Sequence, residues 1–199
     1  HPIFRQGLKH AFSECPDMEV SGEAASGLEV LDKLRKNDYN VVTLDISMIG
    51  QSSLDTLKQI KIEFPHLPVL ILSVYPEESY AVRFIKSGAS GYLTKEGAPD
   101  QLMEAIRKVA SGGKYVSADL KDRLAFDFAN QDKPPHEYLS DREYQVFCMI
   151  GSGKSLTGIA KELSLSVKTI GTHRTHILEK MKMNNNAQLI QYAILNKLF

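Results

Sequence analysis

Residues Ser155–Met181 read SLTGIAKELSLSVKTIGTHRTHILEKM, and their apolar spacing decides how the C-terminal part of the chain folds. Ile159, Ala160 and Leu163 recur at helical spacing, which predicts one buried face. The run breaks at Ser164-Leu165-Ser166. Ser166 is a good N-cap, because its hydroxyl can accept a bond from an otherwise unpaired helical N–H. A second helix follows, with Ile170, His173, Ile177 and Met181 on one face. Lys168, Gly171, Thr172 and Thr175 fall on the opposite face and have no apolar neighbours of their own. A short helix, a small turn and a second helix with an idle polar face form a helix-turn-helix plan, in which that face enters a DNA major groove. The same periodicity also fits an ordinary helical hairpin with a solvated face.

Charge is unevenly spread along the chain. Its 199 residues hold 24 Lys and Arg against 24 Asp and Glu. Residues 139–199 carry eight basic side chains against four acids, so the excess of acids lies in residues 1–138. A basic C-terminal part fits a polyanionic partner. The two cysteines, Cys15 and Cys148, make no disulfide framework, and Cys148 within VFCMI reads as a small core residue. No apolar run approaches the length of a membrane span, and no signal peptide is visible. A reducing cytoplasm and no membrane partner are the expectation.

Upstream, short apolar runs alternate with helical patterns. Helices are predicted at Pro2–Phe12, Gly27–Lys36, Ser53–Phe64, Glu77–Lys86 and Pro99–Ala110. Strands are predicted at Met18–Ala24, at Val41–Leu44 ending on Asp45, at Val69–Leu72 ending on Ser73, and at Gly91–Thr94 ending on Lys95. This alternation argues for a parallel sheet with helices on both faces. In such sheets the chemistry sits beyond the carboxyl ends of the strands. Asp45, Ser73 and Lys95 stand at three such ends. A carboxylate can take a phosphoryl group covalently, and a hydroxyl and an ammonium can hold its oxygens.

Residues 113–138 read as a connector, with a helix at Ala118–Ala129 and a polar, Pro-rich hinge at 130–136. Ser140 and Glu143 form a capping box at the start of a helix over Asp141–Gly151. A last helix is predicted at Ala187–Leu198. Gly151-Ser152-Gly153-Lys154-Ser155 invites a nucleotide-binding reading, and with it an ATPase. The first glycine of a phosphate-binding loop would fall on Cys148, and the segment before it is helical.

Two resemblances extend this reading. Leu139-Ser140-Asp141-Arg142-Glu143, Gly153-Lys154-Ser155, Ile159-Ala160, Leu163, Ser166 to Ile170, His173, Ile177, Lys180 and Met181 resemble the LuxR-type DNA-binding domain. That domain closes the NarL/FixJ family of two-component response regulators. Asp45 in LDISMIG, Ser73 in LILSVY, and Tyr92 and Lys95 in GYLTK resemble the receiver domain of the same family. The resemblance implies a flavodoxin-like α/β receiver over residues 1–112, a linker with a helix over 113–136, and an all-α DNA-binding domain over 137–199, with its helix-turn-helix at about 155–174.

The resemblance also assigns roles. Asp45 is implied as the phosphoacceptor, with a sensor histidine kinase as donor. Ser73 and Lys95 are implied as phosphoryl contacts, and Ser73 and Tyr92 as switch residues. The implied surface for double-stranded DNA comprises Lys154, Thr157, Ser166, Lys168, Thr169, Thr172, Arg174, Thr175 and Lys180. Of these, Lys154, Lys168, Arg174 and Lys180 are expected on phosphates. The last helix is implied to pair two subunits into a homodimer, through Leu189 and Ala193. Catalysis beyond the receiver's own phosphoryl transfer and dephosphorylation is not expected.

Three departures from the family pattern bear on these expectations. Gly171 stands where many relatives carry a polar or basic side chain. Ile49 replaces the usual proline after Met48. The strand whose paired acids help Asp45 hold Mg²⁺ in the family precedes a segment like His1-Pro2. The natural protein is therefore expected to be longer, its sheet ordered 2-1-3-4-5 with the central strand outside this chain, and Mg²⁺ binding by this chain weak. A receiver that serves as a phosphorylation-independent dimer scaffold is the alternative these departures leave open.

Overall fold

The computed structural model describes the chain apart from residues 1, 14, 47–51, 75–76, 96–98, 130–133, 197 and 199. Ile49 and most of the polar hinge lie outside the described residues. Two compact units emerge, one of His1–Val74 with Phe84–Val116, the other of Tyr75–Arg83 with Ser117–Phe199.

The first unit is a parallel sheet with helices. Its elements are α1 (Pro2–Ser13), α2 (Gly27–Leu34), β1 (Val42–Asp45), α3 (Ser53–Glu63), β2 (Val69–Ser73), the end of α4 (Glu77–Lys86), β3 (Gly91–Thr94) and α5 (Pro99–Ala110). The strands lie in the order β1-β2-β3. In the central strand, VLILS, every residue is buried, as a strand covered on both faces requires. Its alternating side chains divide between the two faces. Leu70 and Leu72 join Phe12 of α1 and Leu102, Met103, Ala105 and Val109 of α5 in one core. The register pairs Asp45 with Leu72 and Ser73 with Thr94, so the three carboxyl ends finish nearly level.

Local chemistry fixes the helix ends. Ser26 caps α2 by accepting from the Glu29 amide, and Ser52 caps α3 by accepting from the Leu54 amide. The Ser53 hydroxyl donates to the carbonyl oxygens of both Asp45 and Ile46 at 2.8 Å, tying the end of β1 to the start of α3.

One expectation fails. Residues 18–24 form no strand. A parallel strand exists only by pairing with a neighbour, and no described strand lies beside them. Val20 is 38% exposed, so the segment buries little of its apolar surface.

The second unit is helical. The first turns of α4 enter it, with the Tyr80 ring edge-on to Tyr144 at 5.4 Å. It continues with α6 (Ala118–Ala129), a 3-10 turn at Pro135–Tyr138, α7 (Asp141–Gly151), α8 (Leu156–Glu162), α9 (Val167–Met181) and α10 (Asn186–Leu195). The Ser140–Glu143 capping box is present in both directions. Tyr144, Val146, Phe147, Met149 and Ile150 of α7 are buried, as are Ile159, Ile170, Ile177, Met181, Leu189 and Ala193 from the helices that follow. α10 ends three residues before the predicted Leu198, at Leu195.

Candidate functional site

Two constellations carry chemistry. The first lies at the carboxyl ends of the strands. Asp45 closes β1, Ser73 closes β2, and Lys95 follows β3 directly. Adjacent strands lie about 4.8 Å apart, so β3 is two spacings from β1. The flexible four-carbon stem of lysine spans that gap: Lys95 Nζ donates to Asp45 Oδ2 as an ion pair across the end of β2. The pair is well shielded, with side chains only 10% and 18% exposed. The Lys95 amide donates to the Ser73 carbonyl oxygen at 2.6 Å, which fixes where the lysine leaves the sheet. Ser73 is fully buried. Tyr92, on β3, is buried, and its ring lies 6.4 Å from that of Phe84. The parallel register thus brings together a carboxylate, a hydroxyl and an ammonium from positions 45, 73 and 95. Among the described residues, no three or more His, Cys, Asp or Glu side chains gather as a metal centre.

The second constellation is the helix-turn-helix. Ser155 caps α8 by accepting from the Gly158 amide at 3.1 Å, and Ser166 caps α9 by accepting from the Thr169 amide at 3.0 Å. The turn between them needs a left-handed residue, supplied by Ser164 at φ 53°. The Leu165 amide closes the turn on the Ala160 carbonyl oxygen at 2.9 Å. α9 buries Ile170, Ile177 and Met181. Lys168, Thr172 and Thr175 face solvent, and Val167 beside them is 46% exposed. Thr157 and Ser166 are exposed, and Thr169 is half-buried.

Three of the basic residues expected on DNA phosphates also have partners within the fold. Lys154 Nζ pairs with Glu162 Oε2 at 2.5 Å. Arg174 Nε donates to Asn186 Oδ1 at 2.6 Å. Lys180 Nζ donates to Glu143 Oε2 at 2.6 Å, and the Glu143 side chain is only 6% exposed. Burial pushes the Glu143 carboxyl up, but bonds from Lys180 and Ser140 outweigh it and hold the group below the ordinary carboxylate value. His173 is half-buried; burial, with Arg142 nearby, lowers its pKa and favours the neutral ring. None of the roles of Glu143 or Asn186 as a partner for these cations was legible in the sequence. The capping box was the one local sign that Glu143 mattered.

The two residues implied to pair subunits lie inward. Leu189 and Ala193 are fully buried within their own unit, because the apolar stripe of α10 faces α7. The apolar side chains that α10 leaves to solvent are Ile194, 60% exposed, and Leu195, 74% exposed. The nucleotide-loop reading also finds no support in the fold. Gly151 ends a helix rather than following a strand.

Comparison with known proteins agrees with this geometry. Residues 1–107 match the response regulator receiver domain, and residues 137–193 match the luxR family of bacterial regulatory proteins. The chain is 35% identical to the oxygen regulatory protein NreC of Staphylococcus epidermidis over 207 aligned residues, covering all of this chain and 95% of the relative. It is 33% identical to NreC of Staphylococcus carnosus, with the same coverage. Among solved structures it resembles RcsB of Salmonella enterica serovar Typhimurium bound to promoter rprA in the presence of the phosphomimetic BeF3⁻. That match has a TM-score of 0.64 and 25% identity, and covers 96% of this chain and 93% of the other. Among the described residues, no helix is long and apolar enough to cross a membrane.

Proposed function

Because the chain belongs to the two-component response regulators, joins a receiver to a LuxR-type domain, and is thus a DNA-binding transcription regulator, we propose that Asp45 is its phosphoacceptor and that the phosphoryl charge controls DNA binding. The observation that carries this reading is the Asp45–Lys95 ion pair beside buried Ser73 at level strand ends. A sensor histidine kinase supplies the group. The P–N bond of its phosphohistidine breaks as an Asp45 Oδ–P bond forms. Lys95 then moves from the carboxylate to a phosphoryl oxygen, where a charge-assisted bond is strong. The Ser73 hydroxyl takes a second oxygen, and Tyr92 follows it, which gives a charge-driven bias on a two-state element. The receiver extends over residues 1–112, the connector over 113–136 and the DNA-binding domain over 137–199.

Mg²⁺ chemistry belongs to this family of sites. Asp45 would supply one carboxylate to such an ion, which would help neutralise the phosphoryl charge; among the described residues no three or more His, Cys, Asp or Glu side chains gather as a metal centre. Two copies pair on DNA through Ile194 and Leu195 and place α9 on half-sites about one helical turn apart. Basic side chains, Lys168 foremost, supply a salt-dependent attraction to phosphates.

The test is a gel shift on a duplex selected by the full chain, with and without a small acyl-phosphate donor, for the wild type and Asp45→Asn. The donor is expected to strengthen binding by the wild type alone. Equal binding and equal regulation by Asp45→Asn would favour a receiver that serves only as a phosphorylation-independent dimer scaffold.

A further inference from the structure

The outward face of α9 carries little charge, and the way its polar groups are used is unusual for a surface expected to read bases. The Thr172 hydroxyl donates to the Lys168 carbonyl oxygen at 3.2 Å, and the Thr175 hydroxyl donates to the Gly171 carbonyl oxygen at 3.2 Å. Both threonines thus commit their only donor hydrogen to their own helix, one turn back. Each keeps its methyl group on an exposed side chain. The isopropyl group of Val167 is 46% exposed one turn earlier. Between these residues sits Gly171. A β-carbon built there meets nothing within 4 Å, and the residue lies inside a regular helix rather than at positive φ. Neither packing nor backbone geometry within the fold calls for a glycine. A glycine inside a helix is nonetheless unfavourable relative to alanine.

Base pairs present distinct groups in the major groove, and thymine alone offers an exposed methyl. We infer that α9 reads thymine C5-methyl groups through the methyls of Thr172 and Thr175, and that the missing side chain at Gly171 lets the helix come close enough for that contact. This inference rests on the DNA-binding reading and specifies what that surface recognises. Thr172, Thr175 and Gly171 are specificity-determining residues, and the preferred half-site is rich in thymine where α9 crosses it. Lys168, on the same face, holds the register from a phosphate.

The experiment begins with selection from a random duplex library by the full chain in the presence of acyl phosphate. Failure to enrich any sequence would overturn the DNA-binding reading itself. With an enriched duplex in hand, each thymine of the half-site is replaced by deoxyuridine, which removes only the methyl. Loss of one buried methyl contact lowers affinity about fourfold, and the loss should be confined to thymines under α9. Enrichment together with indifference to deoxyuridine would overturn the methyl reading and leave DNA binding intact. Two conservative variants separate methyl from hydroxyl. Thr172→Ser keeps the hydroxyl and should lose discrimination between thymine and deoxyuridine, whereas Thr172→Val keeps the methyls and should retain it. The reverse order would overturn the proposal. Gly171→Ala supplies opposite readouts. The melting temperature should rise by a few degrees, roughly 3–6 °C, while affinity for the selected duplex falls. Unchanged affinity in a stabilised Gly171→Ala protein would exclude the close approach.

Discussion

Lys180 Nζ reaches from α9 to Glu143 Oε2 on α7 at 2.6 Å, and the carboxylate it meets is almost fully covered. The same carboxylate accepts the Ser140 amide at 2.7 Å, so Glu143 both caps its own helix and anchors α9. The lysine is 42% exposed and its partner 6% exposed, an asymmetry that makes the carboxylate the costly group to orphan. Lys180→Ala is expected to destabilise the second unit by about 1–3 kcal/mol. Glu143→Gln in the Lys180→Ala background should recover part of that loss, because it removes the buried charge. A double-mutant cycle by chemical denaturation measures the coupling; strict additivity would show that the pair is idle.

Acid should weaken the second unit in two stages. His173 has a folded pKa below its ordinary 6.5, chiefly through burial. The unfolded chain therefore takes that proton first, and stability declines as pH falls below about 6.5 toward the lower folded value. Glu143 has a folded pKa below 4.5. Its contribution is complete above that value and fades as pH falls through the folded one. Thermal melts by circular dichroism between pH 4 and 8 follow the first stage. His173→Gln should flatten the decline that sets in below about pH 6.5; an unaltered slope would remove His173 as its origin.

Gly91 opens β3 where the chain returns to the sheet at Tyr115. An added β-carbon would lie 2.7 Å from the Tyr115 carbonyl oxygen and 2.9 Å from Leu70 Cδ1. The obstacle is backbone on one side and a core side chain on the other, so neither yields cheaply. Gly91→Ala is expected to cost about 1–3 kcal/mol, seen as an earlier urea midpoint with little change in slope. It should also loosen the adjacent Tyr92, with faster exchange of the Tyr92 amide, which donates to Tyr115 at 3.1 Å.

The two cysteines should label very differently. Cys148 is buried in α7, and burial pushes its thiol up to about 12, so the reactive thiolate is scarce at neutral pH. Cys15 is half-buried in the first unit. Alkylation of native protein should modify Cys15 first, with Cys148 reacting only as fast as its unit opens. Mass spectrometry of a time course checks this, and early modification of Cys148 would contradict its packing.

On α10, Leu195→Glu replaces an apolar side chain that is 74% exposed, so the fold should be unaffected. If Ile194 and Leu195 pair two copies, the variant should remain folded by circular dichroism and bind a single half-site normally. It should lose the tighter binding that two adjacent half-sites give, read by gel shift. Leu189→Glu, by contrast, should unfold the second unit, because Leu189 is fully buried.

Much of the fold was legible because helix and parallel strand leave different periodicities. The strands at 42–45, 69–73 and 91–94 are short apolar runs with polar ends, and two helices announce their caps in sequence, Ser140 and Ser166. Residues 18–24 misled because local sequence can suggest a strand without supplying the neighbour it must pair with. The meeting of Asp45, Ser73 and Lys95 could be expected from strand ends, since a parallel sheet delivers the last residue of each strand to one edge. What Lys154, Arg174 and Lys180 touch could not be named. Long side chains choose partners by proximity across helices, and Glu162, Asn186 and Glu143 lie 8, 12 and 37 residues away.

The sequence by itself determined the run of strands and helices along the chain and the placing of Asp45, Ser73 and Lys95 at strand ends, because these follow from local periodicity, while the helix-turn-helix reading needed the family resemblance as well. Only the tertiary structure decided that Lys95 closes on Asp45, that Leu189 and Ala193 point into their own core, and that Lys180 is an anchor. Those outcomes depend on strand register and helix packing, which bring distant residues to within a few ångströms and leave no trace in the spacing of either partner.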